Sequence, residues 1–111
     1  MLGHEALGEV VEVGSSVRTL VRGDLVALPV RRPCPAAPCI ACRVGRQDFC
    51  VSGGFIERGI KGADGFMTEF VVEDERYLVR VPRGLAEVGV LIERAVARVL
   101  AVLGTVGLVA V

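Results

Sequence analysis

The chain has 111 residues, 52% of them hydrophobic, with 13 basic side chains balanced by 13 acidic ones. That length suits one domain, and with no tryptophan and only 5% aromatic residues its core must be mainly aliphatic. The zero net charge excludes a global electrostatic pull toward nucleic acid or an anionic membrane. The opening "MLGHEALGEV" lacks the basic and long apolar parts of a signal peptide, so a cytoplasmic location with reduced thiols is expected.

"GEVVEVG" (8–14) is valine-rich and bounded by glycines, which predicts a strand. "VRGDLVALPV" (21–30) reads as a turn at Gly23 and Asp24 leading into a second strand. Residues 31–65 are irregular, and a loop of that length in a compact domain is functional or tied down. Its basic residues, Arg31, Arg32, Arg43, Arg46, Arg58 and Lys61, read as a solvated lobe. "GFMTEFVVE" (65–73) and "YLVRVP" (77–82) are a third and a fourth strand, joined by a charged turn in "EDERY". Short strands at this spacing suggest a small β-barrel or sandwich. "GLAEVGVLIERAVARVL" (84–100) is expected to be helical, covering about 85–97, while the tail after Arg98 fits strand or helix equally.

All four cysteines fall in "CPAAPCIACRVGRQDFC" (34–50), spaced C-x4-C-x2-C-x7-C. Zn2+ favours four tetrahedral thiolates, and the Cys39–Cys42 step lets one tight turn aim two sulfurs at one ion. Gly45 then relaxes the backbone so that Cys50 can return. Four thiolates saturate a metal, so such a site is structural, and its binding energy of about 10–16 kcal/mol can fold a loop that buries little else. The alternatives are two disulfides or four unlinked thiols. A zinc finger reading nucleic acid is disfavoured, because paired histidines and a following recognition helix are both lacking.

These residues together resemble a family. The cysteine lobe is similar to the structural-zinc lobe of the zinc-dependent medium-chain dehydrogenases, the alcohol dehydrogenase superfamily, with a first gap two residues longer than the usual one. "GHEALGEVVEVG", "RGDLVAL" and "GFMTEFVVEDERYLVRVP" resemble the family's other signatures, in order. "VRRPC", "GRQDFC", "ERGIKG" and "GFMTEF" look like the microbial glucose dehydrogenase branch, which oxidises aldoses to lactones with NAD or NADP.

The resemblance implies a mostly β (α+β) fold: a GroES-like, partly open β-barrel with a projecting zinc lobe. Residues 1–93 would form this catalytic domain, and 94–111 a stub of a Rossmann domain with its first strand and glycine turn. It also implies that His4, the only histidine, with Glu5 and Glu93, ligates a catalytic zinc, and that Glu57 contacts sugar hydroxyls. The plainer readings are a structural histidine, an ordinary acidic residue at 5, an exposed helix carboxylate at 93 and a solvated loop glutamate at 57.

The family's catalytic cysteine, upstream of the GHE signature, has no counterpart here, since all four cysteines lie in the lobe. A dinucleotide site needs G-x-G-x-x-G, and the tail offers only Gly104 and Gly107. The expectation is therefore a dehydrogenase fragment that binds a structural zinc, does not bind NAD(P), and is inactive alone. Its apolar tail must pack on the barrel, self-associate or aggregate. The competing readings are a small zinc-binding protein-interaction module and, less favoured because the uncharged run is too short to span a bilayer, a tail-anchored protein.

Overall fold

In the computed structural model, residues 2–35, 39–85, 96–100 and 107–110 are described. The regular structure among the described residues is mostly strand: β1 Leu7–Glu12, β2 Leu25–Ala27, β3 Arg31–Arg32, β4 Ile56–Arg58, β5 Gly62–Ala63, β6 Phe70–Glu73, β7 Val79–Val81, β8 Val96–Leu100 and β9 Gly107–Ala110. One short helix, α1 (Ile40–Arg43), lies in the cysteine lobe, and three 3-10 turns cover Gln47–Phe49, Glu75–Tyr77 and Arg83–Leu85.

Two sheets organise these strands. The larger has the order β6-β8-β9-β1-β2-β7, with further pairing of β6 to β9 and of β8 to β1. The smaller, β3-β4-β5, carries the lobe. No closed barrel forms among the described strands.

β1 pairs antiparallel with β2, Gly8 opposite Val26. The turn between them is the expected one. Gly23 takes φ +90°, the Asp24 carboxylate accepts from the Val21 N–H at 2.9 Å, and the Gly23 N–H donates to the Val10 carbonyl. Ala6, Val10, Leu20, Val26, Leu28, Phe66, Val71 and Leu78 form the core. Phe66 is its one aromatic residue, in keeping with the aliphatic composition.

Two expectations need correction, and one open alternative is decided. Residues 65–73 do not form one long strand. Only Phe70–Glu73 pair, because Gly65 and Phe66 are used instead for a close backbone approach to Gly3. The helix expected over 84–100 gives way at its C-terminal end to β8, where "VARVL" pairs parallel with both β1 and β6. Val96 and Val99 are β-branched, which suits a pleated strand better than a helix. The rest of that stretch, 86–95, lies outside the described residues. The tail resolves toward strand, since β9 pairs antiparallel with β1, β6 and β8.

The basic stretch is not simply solvated, which is a third correction. Glu73 of β6 is only 7% exposed and receives Arg58 Nη1 at 2.9 Å, Arg32 Nη2 and, at 3.0 Å, the Asp74 N–H. Arg32 also stacks over Tyr77, and Arg58 over Phe66. One carboxylate in the large sheet thereby holds two arginines from the lobe's base.

Candidate metal centre and substrate cleft

The lobe gathers its four cysteines by local means. Cys34 follows β3, while Cys39 and Cys42 bracket the first turn of α1. α1 stops in a Schellman motif: the Gly45 N–H reaches the Cys42 carbonyl at 3.3 Å and the Arg46 N–H the Ala41 carbonyl at 2.8 Å, with Gly45 at φ +78°. The chain then reverses through Gln47–Phe49, braced by an Arg46–Asp48 ion pair at 2.9 Å, and delivers Cys50.

All four Sγ atoms lie within 4.8 Å of one another, and Cys39 and Cys50 are 3.8 Å apart. No disulfide joins them. Tetrahedral Zn–S bonds of about 2.3 Å place sulfurs about 3.8 Å apart, so the quartet fits the ion. Cys34, Cys39 and Cys42 are buried. The Cys34 N–H points at Cys42 Sγ, 3.4 Å away, and the Ser52 hydroxyl lies 3.3 Å from Cys50 Sγ. The thiols differ in acidity. The hydrogen bond with Ser52 is the main force drawing Cys50 down to about 5. A hydrogen bond from the Cys39–Cys42 backbone turn lowers Cys39. At Cys42 the Cys34 N–H favours the thiolate, but burial and the three neighbouring sulfurs outweigh it and push the group up to about 12.

A second constellation lies where the N-terminal segment crosses the β4–β5 turn. Gly3, Gly59 and Gly65 meet backbone to backbone. A Cβ on Gly59 would stand 2.3 Å from the Gly3 carbonyl oxygen, and one on Gly65 would stand 2.1 Å from it. The Phe66 N–H donates to that carbonyl at 2.9 Å, and Met67 to the Leu2 carbonyl at 3.1 Å. This crossing sets His4 and Glu5, both exposed, beside Gly59 in the turn that follows β4, the strand carrying Glu57. His4, Glu5 and Glu57 line one cleft of about 520 Å3 with Leu28, Val30 and Arg31. An adjoining cleft of about 420 Å3 is lined by Leu2, Gly3, His4, Glu5 and Gly59.

Glu57 stands opposite Arg31 across the β3–β4 pair, and Arg31 Nε donates to its Oε1 at 2.6 Å. That hydrogen bond, followed by the charge of Glu57 and then that of Asp48, raises the Arg31 pKa. Arg31 is the residue that sequence reasoning missed. Its signal was present as a cation three residues before the first cysteine, but only strand register reveals the carboxylate facing it.

Among the described residues, the cysteine quartet is the only cluster of three or more candidate metal ligands. His4 and Glu5 do not gather a third described ligand, and Glu93 lies outside the described residues, as does Gly104. Gly107 opens β9 opposite Glu73. No helix among the described residues is long and apolar enough to cross a membrane.

Residues 1–83 match the family described as alcohol dehydrogenase GroES-like domain. The chain belongs to that family. Glucose 1-dehydrogenase of Metallosphaera sedula is 53% identical over 93 residues, spanning 84% of this chain and 25% of the relative. The Methanocella arvoryzae enzyme of the same name is 48% identical over 93 residues, spanning 84% and 26%. Glucose dehydrogenase of Haloferax mediterranei superposes with a TM-score of 0.70 at 44% identity, covering 84% of this chain and 26% of that one. That enzyme has also been solved in complex with NADP, Zn and gluconolactone. This chain thus spans about a quarter of the length of the curated relatives it matches.

Proposed function

We propose that this chain supplies the zinc-lobe and sugar-cleft part of a zinc- and NADP-dependent dehydrogenase that oxidises an aldose. The observation that carries this reading is the convergence of His4, Glu5 and Glu57 on one cleft, in a chain about half identical to glucose dehydrogenases. Residues 1–93 act as the GroES-like domain. Residues 94–111 belong to the beginning of the dinucleotide-binding part, with Gly104 and Gly107 near its phosphate turn.

Each side chain then has a task. Cys34, Cys39, Cys42 and Cys50 hold a structural zinc that is coordinatively full, so its contribution is to folding. His4, Glu5 and Glu93 are the ligands for a second, catalytic zinc, which when bound supplies Lewis acidity toward a hydroxyl losing its proton. Glu57 orients the sugar by accepting hydrogen bonds from its hydroxyls, as a carboxylate can do from two directions. Leu28 and Val30 line the same cleft and keep its wall apolar. The overall change removes a proton from the sugar hydroxyl and a hydride from the carbon bearing it, leaving a lactone and reduced nicotinamide.

The test is a chimera in which residues 1–93 replace the corresponding segment of the Haloferax enzyme. NADP-dependent glucose oxidation is expected, with Glu57→Gln raising KM for glucose by about tenfold and leaving NADP binding unchanged. A folded, NADP-binding chimera inert toward glucose and other aldoses would sink the proposal. The 111-residue chain alone, mixed with glucose and NADP, is expected to give no increase in reduced nicotinamide.

A further inference from the structure

We infer that Arg31 is a positioning residue for the cleft: it fixes the Glu57 carboxylate by one oxygen and so presents the other to a ligand's hydroxyls. The inference rests on the sugar-site reading above and adds to it the residue that sets the carboxylate's orientation. Three observations support it. Arg31 and Glu57 are directly opposed in the β3–β4 register, so no backbone freedom separates them. Arg31 Nε meets Glu57 Oε1 at 2.6 Å, a charge-assisted bond, while both residues line the cleft that holds His4 and Glu5. The Glu57 backbone is itself clamped, its N–H donating to the Lys61 carbonyl at 2.8 Å and its carbonyl accepting from the Lys61 N–H at 2.7 Å.

A carboxylate offers about four acceptor directions, so one arginine bond leaves capacity for two sugar hydroxyls. Without Arg31 the glutamate would sample several rotamers, and a ligand would bear the entropy of fixing one. The guanidinium also lies 5.7 Å from the Phe55 ring centre, which restricts its own motion.

The test uses the zinc-loaded 111-residue chain labelled with 15N. The Arg31 Nε–H resonance is expected to be shifted and slow to exchange, and to revert to free-arginine behaviour in Glu57→Gln. Saturation-transfer titration with glucose is expected to show about fivefold weaker binding in Arg31→Met, with partial recovery in Arg31→Lys. Arg31→Met combined with Glu57→Gln is expected to bind no worse than Glu57→Gln alone. Zinc content and spectral dispersion establish that each variant is folded, and Glu57→Gln tests the pair should Arg31→Met fail to fold. An Arg31 Nε–H that exchanges freely while glucose still binds overturns the positioning role alone, as do additive losses in the double variant. Absence of glucose binding by the unmodified chain overturns the sugar-site reading and, with it, this use of the pair.

Discussion

Gly59 shows how a missing side chain can build a site. Its φ of +76° disfavours any L side chain, and a Cβ there would strike the Gly3 backbone beneath His4. Gly59→Ala is expected to lower unfolding free energy by about 3 kcal/mol, combining left-handed strain with overpacking. Gly53, at φ +64° with open space around its Cα, isolates the first of these effects, so Gly53→Ala should cost only about 1 kcal/mol. Equal losses in urea denaturation would refute the backbone-crossing account. Glu75 offers a pH handle. The Thr19 hydroxyl, the Thr19 N–H and the Arg18 N–H donate to its carboxylate, at 2.7 Å for the hydroxyl, and hold its pKa below the ordinary glutamate value. A depressed acid stabilises the fold above its unfolded pKa and loses that contribution as pH falls through its folded value. Glu75→Gln should therefore flatten the decline of Tm below about pH 4.5, the region just under the ordinary glutamate pKa, and a decline as steep as that of the parent would contradict the assignment.

At the scale of elements, the lobe and the first hairpin were the most legible parts of the sequence. Four cysteines and one glycine fix the lobe through local geometry: a one-turn helix, a Schellman stop and a reversal. Gly23 and Asp24 likewise place the β1–β2 turn, because positive φ and an aspartate accepting from the chain are written in residue types. The stretch 84–100 was misread at its end because short apolar runs carry no decisive period, and partner strands distant in sequence decide the outcome. The Glu73 cluster was invisible for a related reason. Arg32, Arg58 and Glu73 are 15 to 41 residues apart, and only the packing of two sheets unites them. Glu73→Ala leaves two largely buried cations without their carboxylate, and should destabilise the zinc-loaded chain by about 3–5 kcal/mol. A loss below about 1 kcal/mol would show the cluster to be effectively solvated.

For the whole molecule, family membership was readable from motif order, since glycines and cysteines mark the backbone crossings that the fold cannot lose. The cleft was only half readable. His4, Glu5 and Glu57 are reached through the family resemblance, whereas the Arg31 contact follows from register. The lobe couples metal to fold, so one tightly held zinc per chain is expected by elemental analysis after dialysis that removes any ion held weakly at His4 and Glu5. Cys39→Ser should abolish that stoichiometry and hydrogen-exchange protection over 39–50, while β1, β2 and β7 keep theirs. Full zinc content in Cys39→Ser would show that the sulfur quartet is not the binding site.

The lobe's ligands reach the ion by two separate routes. Cys34 is handed over from the end of β3, whereas Cys39, Cys42 and Cys50 sit on a self-contained turn closed by Gly45. Cys34 and the turn over 39–50 are therefore each placed by their own elements, and the four-residue spacing between Cys34 and Cys39 sets neither. That accounts for a spacing two residues wider than the usual pattern in a lobe whose sulfurs still converge. Shortening the bridge by those two residues should leave metal uptake intact.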